Sequence, residues 1–302
     1  MRVVAGVTAC NEERTIGPLL DALLAARPLG EPIEQVVVVS SACTDGTDRI
    51  VAEVAARDPR VTLVSEPVRR GKVAAINAFL DGRPEGTDVT VIASADVLPE
   101  PGAVEAIVAA IGKASVGMAG GRPVPQNEGD ALIDRMARLL WHLHDRMARK
   151  SPKLGELVAF RSRLVGRIDP ESPLDEAALE AQVVHAGGRL AYVPDAVVAN
   201  RGPSTYREWL WQRRRNAFGH RWLKERRGYV VSTGPAASAL SLWLREIAPV
   251  PSRWLPGAAL VAAEAAARLL ASWDRARGYR GHSVWPLAPT TKTGPSRRSL
   301  EP

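Results

Sequence analysis

Four short polar segments hold the residues best placed to do chemistry, and each sits at or just after a run of β-branched residues. The first is Thr8-Ala9-Cys10-Asn11-Glu12-Glu13, where Asn11 can cap a helix and Glu12 and Glu13 suit its positive end, so capping is the plain reading. The second is Ser40-Ser41-Ala42-Cys43-Thr44-Asp45-Gly46-Thr47. A turn of this composition opening a helix can bind a nucleoside, although most only cap, so Ser40 and Asp45 stay open between the two. The third, Arg69-Arg70-Gly71-Lys72, is a basic turn before a helix whose N-terminus would attract a diphosphate. It is not a P-loop, because position 66 is Glu and no Ser or Thr follows Lys72. The fourth, Ser94-Ala95-Asp96, presents one carboxylate, a reasonable ligand for magnesium or manganese that phosphate oxygens also hold.

The elements that position these segments alternate. Strands at 2–9, 34–40, 61–65 and 88–95 are separated by helices at 12–27, 47–57 and 72–81, the apolar spacing of the first helix running through Ile16, Leu19, Leu20, Leu23 and Leu24. Near-continuous Val/Ile strands between amphipathic helices predict a parallel sheet covered on both faces, with its ligand beyond the carboxyl ends of the strands. A helix at 101–111, a strand at 116–122, a long helix at 129–148 and strands at 157–161 and 189–199 flanking a helix at 175–186 are expected to extend that sheet and build an acceptor-side lobe. A basic helix at 205–227 follows, then an Ala/Pro/Trp-rich stretch.

Composition narrows the class. The chain has 302 residues, 46% hydrophobic and 24% charged, which excludes a disordered or collagen-like protein. The net charge of +7 hides an asymmetry: residues 1–200 carry 22 basic and 27 acidic side chains, residues 201–302 carry 18 and 6. A basic C-terminal third suits phosphate-bearing ligands, an anionic membrane surface or nucleic acid, and charge alone does not choose. Two cysteines, Cys10 and Cys43, are too few for a disulfide framework and point to a reducing compartment. The N-terminus reads as a first strand rather than a signal peptide, and no run of 18 apolar residues is uninterrupted. The nearest, 255–273, contains Glu264 and Arg268 at i and i+4, so it reads as an amphipathic helix that packs on the domain or lies in a membrane interface.

Taken in order, the segments resemble the nucleotide-sugar half of a family 2 glycosyltransferase with the GT-A fold. The matches are Asn11-Glu12-Glu13, Thr44-Asp45-Gly46-Thr47, Arg70-Gly71-Lys72 with Asn77, and Asp96, and the likeness continues through Asp175-Glu176 with Tyr192-Val193-Pro194-Asp195-Ala196 and through Gln212-Arg213-Arg214-Arg215, over roughly 3–222. There are departures. The family's paired aspartates after the second strand are Ser40-Ser41, the first metal-motif aspartate is Ser94, the acidic pair runs Asp-Glu, and Asn216 replaces a tryptophan.

The resemblance implies a GT-A, Rossmann-like α/β fold with a mixed, mainly parallel sheet and a C-terminal helical extension. It divides the chain into a nucleotide-sugar and acceptor domain at 1–203, a basic helical extension at 204–289 and a disordered tail at 290–302. It implies transfer of a sugar from a nucleotide-diphosphate sugar, with inversion and with Mg2+ or Mn2+, onto a carbohydrate or lipid-linked acceptor hydroxyl. Glu176 aligns with the family's base and Asp175 with its neighbour; Thr8, Asn11, Glu12, Ser40, Asp45, Arg70, Lys72, Ser94, Gln212 and Arg215 are the expected donor contacts, and Asp96 the metal ligand. Adjacent carboxylates at a helix start also answer the helix dipole without any catalytic role.

Other residues divide by geometry. Arg213, Arg214 and Arg215 point about 100° apart, so at most two face one site, while Gln212 and Arg215 at i and i+3 can share a face. His142 and His144 at i and i+2 diverge and are read as structural or groove-lining. His220, on the helix of Gln212, is a candidate for an additional metal ligand. Trp209, Trp211 and Trp222 suit an acceptor groove or a membrane interface. A cytoplasmic location with peripheral contact at the inner membrane face follows from the basic, Trp-rich last third. Two alternative readings are a degenerate nucleotide-sugar binder and a sugar-phosphate nucleotidylyltransferase, the latter wanting a Gly-rich loop where Cys10-Asn11-Glu12-Glu13 stands. A nucleic-acid binder using 205–227 is a third, and no nucleic-acid partner is expected on the leading reading.

Overall fold

The computed structural model describes residues 1–231, 236–279, 281–284 and 288–293. Strands β1 (Val3–Ala9), β2 (Gln35–Ser41), β3 (Val61–Glu66) and β4 (Val89–Ser94) alternate with helices α1 (Ile16–Ala25), α2 (Thr47–Ala55) and α3 (Lys72–Gly82). Then come β5 (Leu98–Pro99), α4 (Ala103–Ile111), β6 (Val116–Pro125), α5 (Leu132–Ala148), β7 (Leu157–Arg161), α6 (Glu176–His185) and β8 (Arg189–Asn200). Three helices close the chain: α7 (Tyr206–Arg227), α8 (Ala236–Glu246) and α9 (Trp254–Ala276).

One eight-stranded sheet results, in the order β3-β2-β1-β4-β7-β6-β8-β5. Its first four strands are parallel, as the alternating pattern predicts, and strand 157–161 joins the sheet as expected. The new information is direction: β7 runs antiparallel to both β4 and β6, with Ala93 opposite Leu157. That reversal brings the start of β7 to the edge where β1, β2 and β4 end, and the parallel pairing of β6 with β8 delivers Asn200 to the same edge.

Alternation along the strands builds two cores. Ala5 and Val7 of β1 pack with Leu19 of α1, Val51 of α2 and Ile107 of α4 on one face, whereas Val4 packs with Ile76 and Phe79 of α3 and Leu179 of α6 on the other. Leu223 of α7 belongs to this second core, so the basic helix is anchored under the sheet rather than hung beside it. Trp209 joins Ile133 and Met136 of α5 in a third cluster against Leu260 of α9. Thr205 caps α7 by accepting from the Glu208 amide at 3.3 Å, and Gly228, at φ 64, ends it.

Helix α9 is long and apolar enough to cross a membrane by length and composition. It lies along α7 and α5, tied to α7 by Arg213 to Glu264 at 2.9 Å and by Arg214 to Asp274, and the expected Glu264–Arg268 pair forms at 2.9 Å. Its outward face, with Leu255, Val261, Leu269 and Trp273, is exposed. The tail departs from expectation at its start: Pro289–Thr293 is a 3-10 turn, with Thr290 held to Glu208, while 294–302 lies outside the described residues.

Candidate functional site

A cavity of about 1030 Å³ opens where β1, β2 and β4 end and β7 begins, lined also by α7, α9 and by Tyr279, Gly281, His282, Ala288, Thr291 and Lys292. Ten of the expected site residues line it: Thr8, Glu12, Lys72, Ser94, Asp96, Asp175, Glu176, Gln212, Arg215 and His220. Four do not. Asn11 trades hydrogen bonds with Thr44, Asp45 caps the α2 start by accepting from the Thr47 amide at 3.0 Å, and Arg70 pairs outward with Glu66. Ser40 is fully buried and donates to Asp48. These contacts tie the four side chains to neighbouring segments, and of them only the Asp45–Thr47 bond lies at a helix start. The carboxylates absent from positions 40 and 41 return one layer back, since Asp48 also accepts from Ser65 at 2.8 Å and Glu66 accepts from Ser41 at 3.2 Å.

The centre of the cavity is one ammonium between two carboxylates. Gly71, at φ 94, turns the chain into α3 so that Lys72 at its first position faces α6, whose start carries the acidic pair. Lys72 Nζ lies 2.5 Å from Asp175 Oδ2 and 2.6 Å from Glu176 Oε1. Burial raises the Glu176 carboxyl well above the usual range, the neighbouring Asp175 charge pushing the same way. Asp175 moves in the opposite direction: its burial is outweighed by the Lys72 charge and by hydrogen bonding, and it stays ionised far into acid. Both carboxylates also hold up the Arg215 guanidinium, which burial lowers to about 10.

A second acidic centre lies at the strand ends. Glu12 and Glu156 are each pushed up to about 7, by burial first and by the charge of Asp96 second. Glu156 precedes β7, holds φ 65 and hydrogen-bonds Asn200. Asn11, Ala42 and Glu156 are three of the four non-glycine residues with positive φ among those described, and all three turn the chain at this edge. Asp96, with Glu12 and Glu156 that its charge helps to raise, forms a site of excess negative charge and hard oxygen donors. No group of three among the described residues is close enough to hold a metal on protein ligands alone. The donor set is chemically suited to a divalent cation whose shell is completed by phosphate oxygens. In this structure the Lys292 ammonium pairs with Glu12.

His220 lines the cavity, where burial and the charges of Lys153, Arg213 and Arg268, against that of Glu264, lower it to about 3. The three consecutive arginines of α7 separate as the helical geometry requires: Arg213 to Glu264, Arg214 to Asp274, and Arg215 within electrostatic reach of the acidic pair. The two histidines of α5 diverge as well, His142 to Glu246 at 2.7 Å and His144 between Trp141 and Tyr192.

A family model described as glycosyltransferase like family 2 matches residues 2–219. The chain belongs to this family. Among solved structures, a mannosyltransferase from Pyrobaculum calidifontis in complex with GDP-Man and Mn2+ is 26% identical, with 96% of this chain and 84% of that one covered at a TM-score of 0.58. The glucosyl-3-phosphoglycerate synthase of Mycobacterium tuberculosis, in complex with Mn2+, UDP-glucose and phosphoglyceric acid, is 21% identical over 77% of this chain and 81% of that one, TM-score 0.52, and shares the fold. No curated protein matches the sequence. The GT-A architecture expected from the ordered motifs is therefore shown, and in this glycosyltransferase-like chain the acidic pair and Asp96 open into one cavity.

The residues sequence reasoning missed are Glu156, Lys153 and Lys292. The first two flank the start of β7, and they become visible only if that strand is read as antiparallel, with its N-terminal end at the ligand edge. Lys292 falls in a polar tail whose composition gives no structural signal.

Proposed function

We propose that the protein transfers a hexose from a nucleoside-diphosphate sugar to an acceptor with inversion at the anomeric carbon. The observation that carries this reading is Lys72 bridging Asp175 and Glu176 inside the cavity that Asp96 enters. Glu176 is the base: a carboxylate whose proton affinity is raised accepts the acceptor hydroxyl's proton as the oxygen attacks, and Lys72 keeps it oriented. Asp175, held ionised, fixes Lys72 and Arg215. Gln212 and Arg215 from α7, with the α3 N-terminus, face the diphosphate as it departs. A Mg2+ or Mn2+ held by Asp96 would offset charge on that leaving group. The GDP-Man and Mn2+ complex of the Pyrobaculum relative supports a donor and metal of this kind.

The exposed apolar face of α9, beside a helix rich in arginine, supports a peripheral position on a cytoplasmic membrane face and an acceptor presented there. The test is turnover. Purified protein is incubated with GDP-mannose or UDP-glucose and Mn2+, and released nucleoside diphosphate is followed with and without a membrane-lipid extract. Wild-type release that needs the extract and falls at least about a hundredfold in Glu176→Gln, the lower end of the usual contribution of a general base, supports the reading. Equal release by the two proteins would refute the base assignment.

A further inference from the structure

Away from Lys72 the cavity holds a second concentration of positive charge, and its partners are already committed. Lys153 lines the cavity three residues before Glu156, and among the described residues no carboxylate lies within ion-pair distance of its ammonium. The two acids within electrostatic reach are Glu180 and Glu264. Glu180 is occupied by the Leu154 amide at 2.6 Å and the Tyr229 hydroxyl at 3.0 Å. Glu264 is clamped by Arg213 and Arg268, each at 2.9 Å. Lys153, Arg213 and Arg268 thus outnumber Glu264 and Glu180, and burial raises Glu180 toward its neutral form.

Two imidazoles complete the cluster. His144 and His220 are kept neutral by burial, with Lys153 and Arg213 opposing their protonation, so they offer ring nitrogens without adding charge. Burial, and then Arg213, lowers Lys153 itself to about 8. Lys153 is half-buried in the cavity wall with no ion pair among the described residues, so an anion entering the cavity meets its charge directly.

Position separates this cluster from the donor diphosphate. Three residues of chain span at most about 11 Å, so Lys153 stands within one sugar-ring length or two of Glu156. On α7, Arg213 and Arg215 are two residues apart and point roughly 200° from one another, Arg215 within electrostatic reach of Asp175 and Glu176, and Arg213 paired with Glu264 and within electrostatic reach of Lys153. We infer that Lys153, with Arg213, His144 and His220, forms an anion subsite that holds a phosphate group of the acceptor beside the reacting centre. The assignment to the acceptor rests on the proposed transferase reading; the anion site itself does not. Phosphate can come from a lipid headgroup or from a soluble phosphate ester. The cavity runs on from the cluster past Leu260 and Val261 to Trp243, toward the exposed face of α9, which gives a lipid tail a path.

The test uses the full chain and its Lys153→Met, Lys153→Arg and Asp96→Asn variants. Inorganic phosphate is titrated calorimetrically, and flotation is measured with phosphatidylcholine vesicles with or without phosphatidic acid. Phosphate binding should be the same in Asp96→Asn, roughly tenfold or more weaker in Lys153→Met, and restored in Lys153→Arg. Vesicle binding that requires both phosphatidic acid and Lys153 identifies a lipid source, and phosphate binding without it identifies a soluble one; both uphold the subsite. Because the lysine is unpaired, Lys153→Met should melt no lower than wild type. Absence of phosphate binding in wild type, retention in Lys153→Met, loss in Asp96→Asn alone, or a Lys153→Met chain that melts lower or unfolds would each overturn it. A protein that binds phosphate through Lys153 but binds neither GDP nor UDP with Mn2+ would sink the transferase reading and leave the subsite standing.

Discussion

Replacing Lys72 by Met tests whether the acidic pair depends on its ammonium. Lys72 Nζ touches Asp175 at 2.5 Å and Glu176 at 2.6 Å, and all three side chains are at least three-quarters buried. Methionine fills similar space and leaves two adjacent carboxylates with Arg215 as the remaining cation named for both. A pair of unit charges about 4 Å apart is worth about 4 kcal/mol at an effective dielectric near 20, and removing one partner of a buried pair typically costs about 3–5 kcal/mol. The loss must depend on pH. Asp175 is held below its ordinary value largely by Lys72, so its stabilisation is present above that value and lost in acid; Glu176 is raised, and without Lys72 rises further, so ionising it costs more as pH climbs. The deficit of Lys72→Met should therefore be about 3 kcal/mol at pH 8 and about half that at pH 5, where the pair holds a proton. Urea unfolding of both proteins at the two pH values measures it. A deficit that is absent at pH 8, or equal at the two values, would refute the bridge.

Glu180 is raised from 4.5 to about 7 by burial, so it stabilises the fold below about pH 4.5 and that contribution is lost as pH rises toward 7, on the order of 3 kcal/mol across the window. Glu180→Gln, which can keep both hydrogen bonds, should flatten that part of the stability profile, and an unchanged slope in urea unfolding from pH 5 to 8 would contradict it. At Gly71 a Cβ would stand 2.3 Å from the Ser283 carbonyl oxygen, and φ is 94. Gly71→Ala should lose roughly 1–3 kcal/mol from backbone strain alone and release residues 281–284 from the cavity mouth, raising their hydrogen exchange. Wild-type melting and exchange would show that the turn tolerates a side chain.

Much of this site is legible in the chain before any coordinates. The strands from β1 to β4 read directly because buried parallel strands are continuous Val/Ile runs, and strand ends predict where Thr8, Lys72 and Asp96 gather. The facing of Asp175-Glu176 toward Lys72, 104 residues apart for Glu176, is long-range and was not legible; the resemblance supplied only the pair's expected role. Strand direction is not encoded in periodicity, so β7 concealed Glu156 and Lys153. Loop residues such as Asn11 and Asp45 have the right chemistry for a ligand but spend it on neighbouring backbone, a choice that composition does not reveal. Spacing along α7 puts His220 on the helix of Gln212 but does not show that Lys153 stands within electrostatic reach of it.

The central claim is that this cavity takes a nucleoside diphosphate together with a divalent cation at Asp96. Calorimetric titration of the wild-type protein and Asp96→Asn with GDP and UDP, each with and without Mn2+, tests it most directly. The account predicts binding of one nucleotide that needs Mn2+ and is lost in Asp96→Asn while the variant keeps its wild-type melting temperature. Binding that ignores both the metal and Asp96, or no nucleotide binding at all, would contradict it.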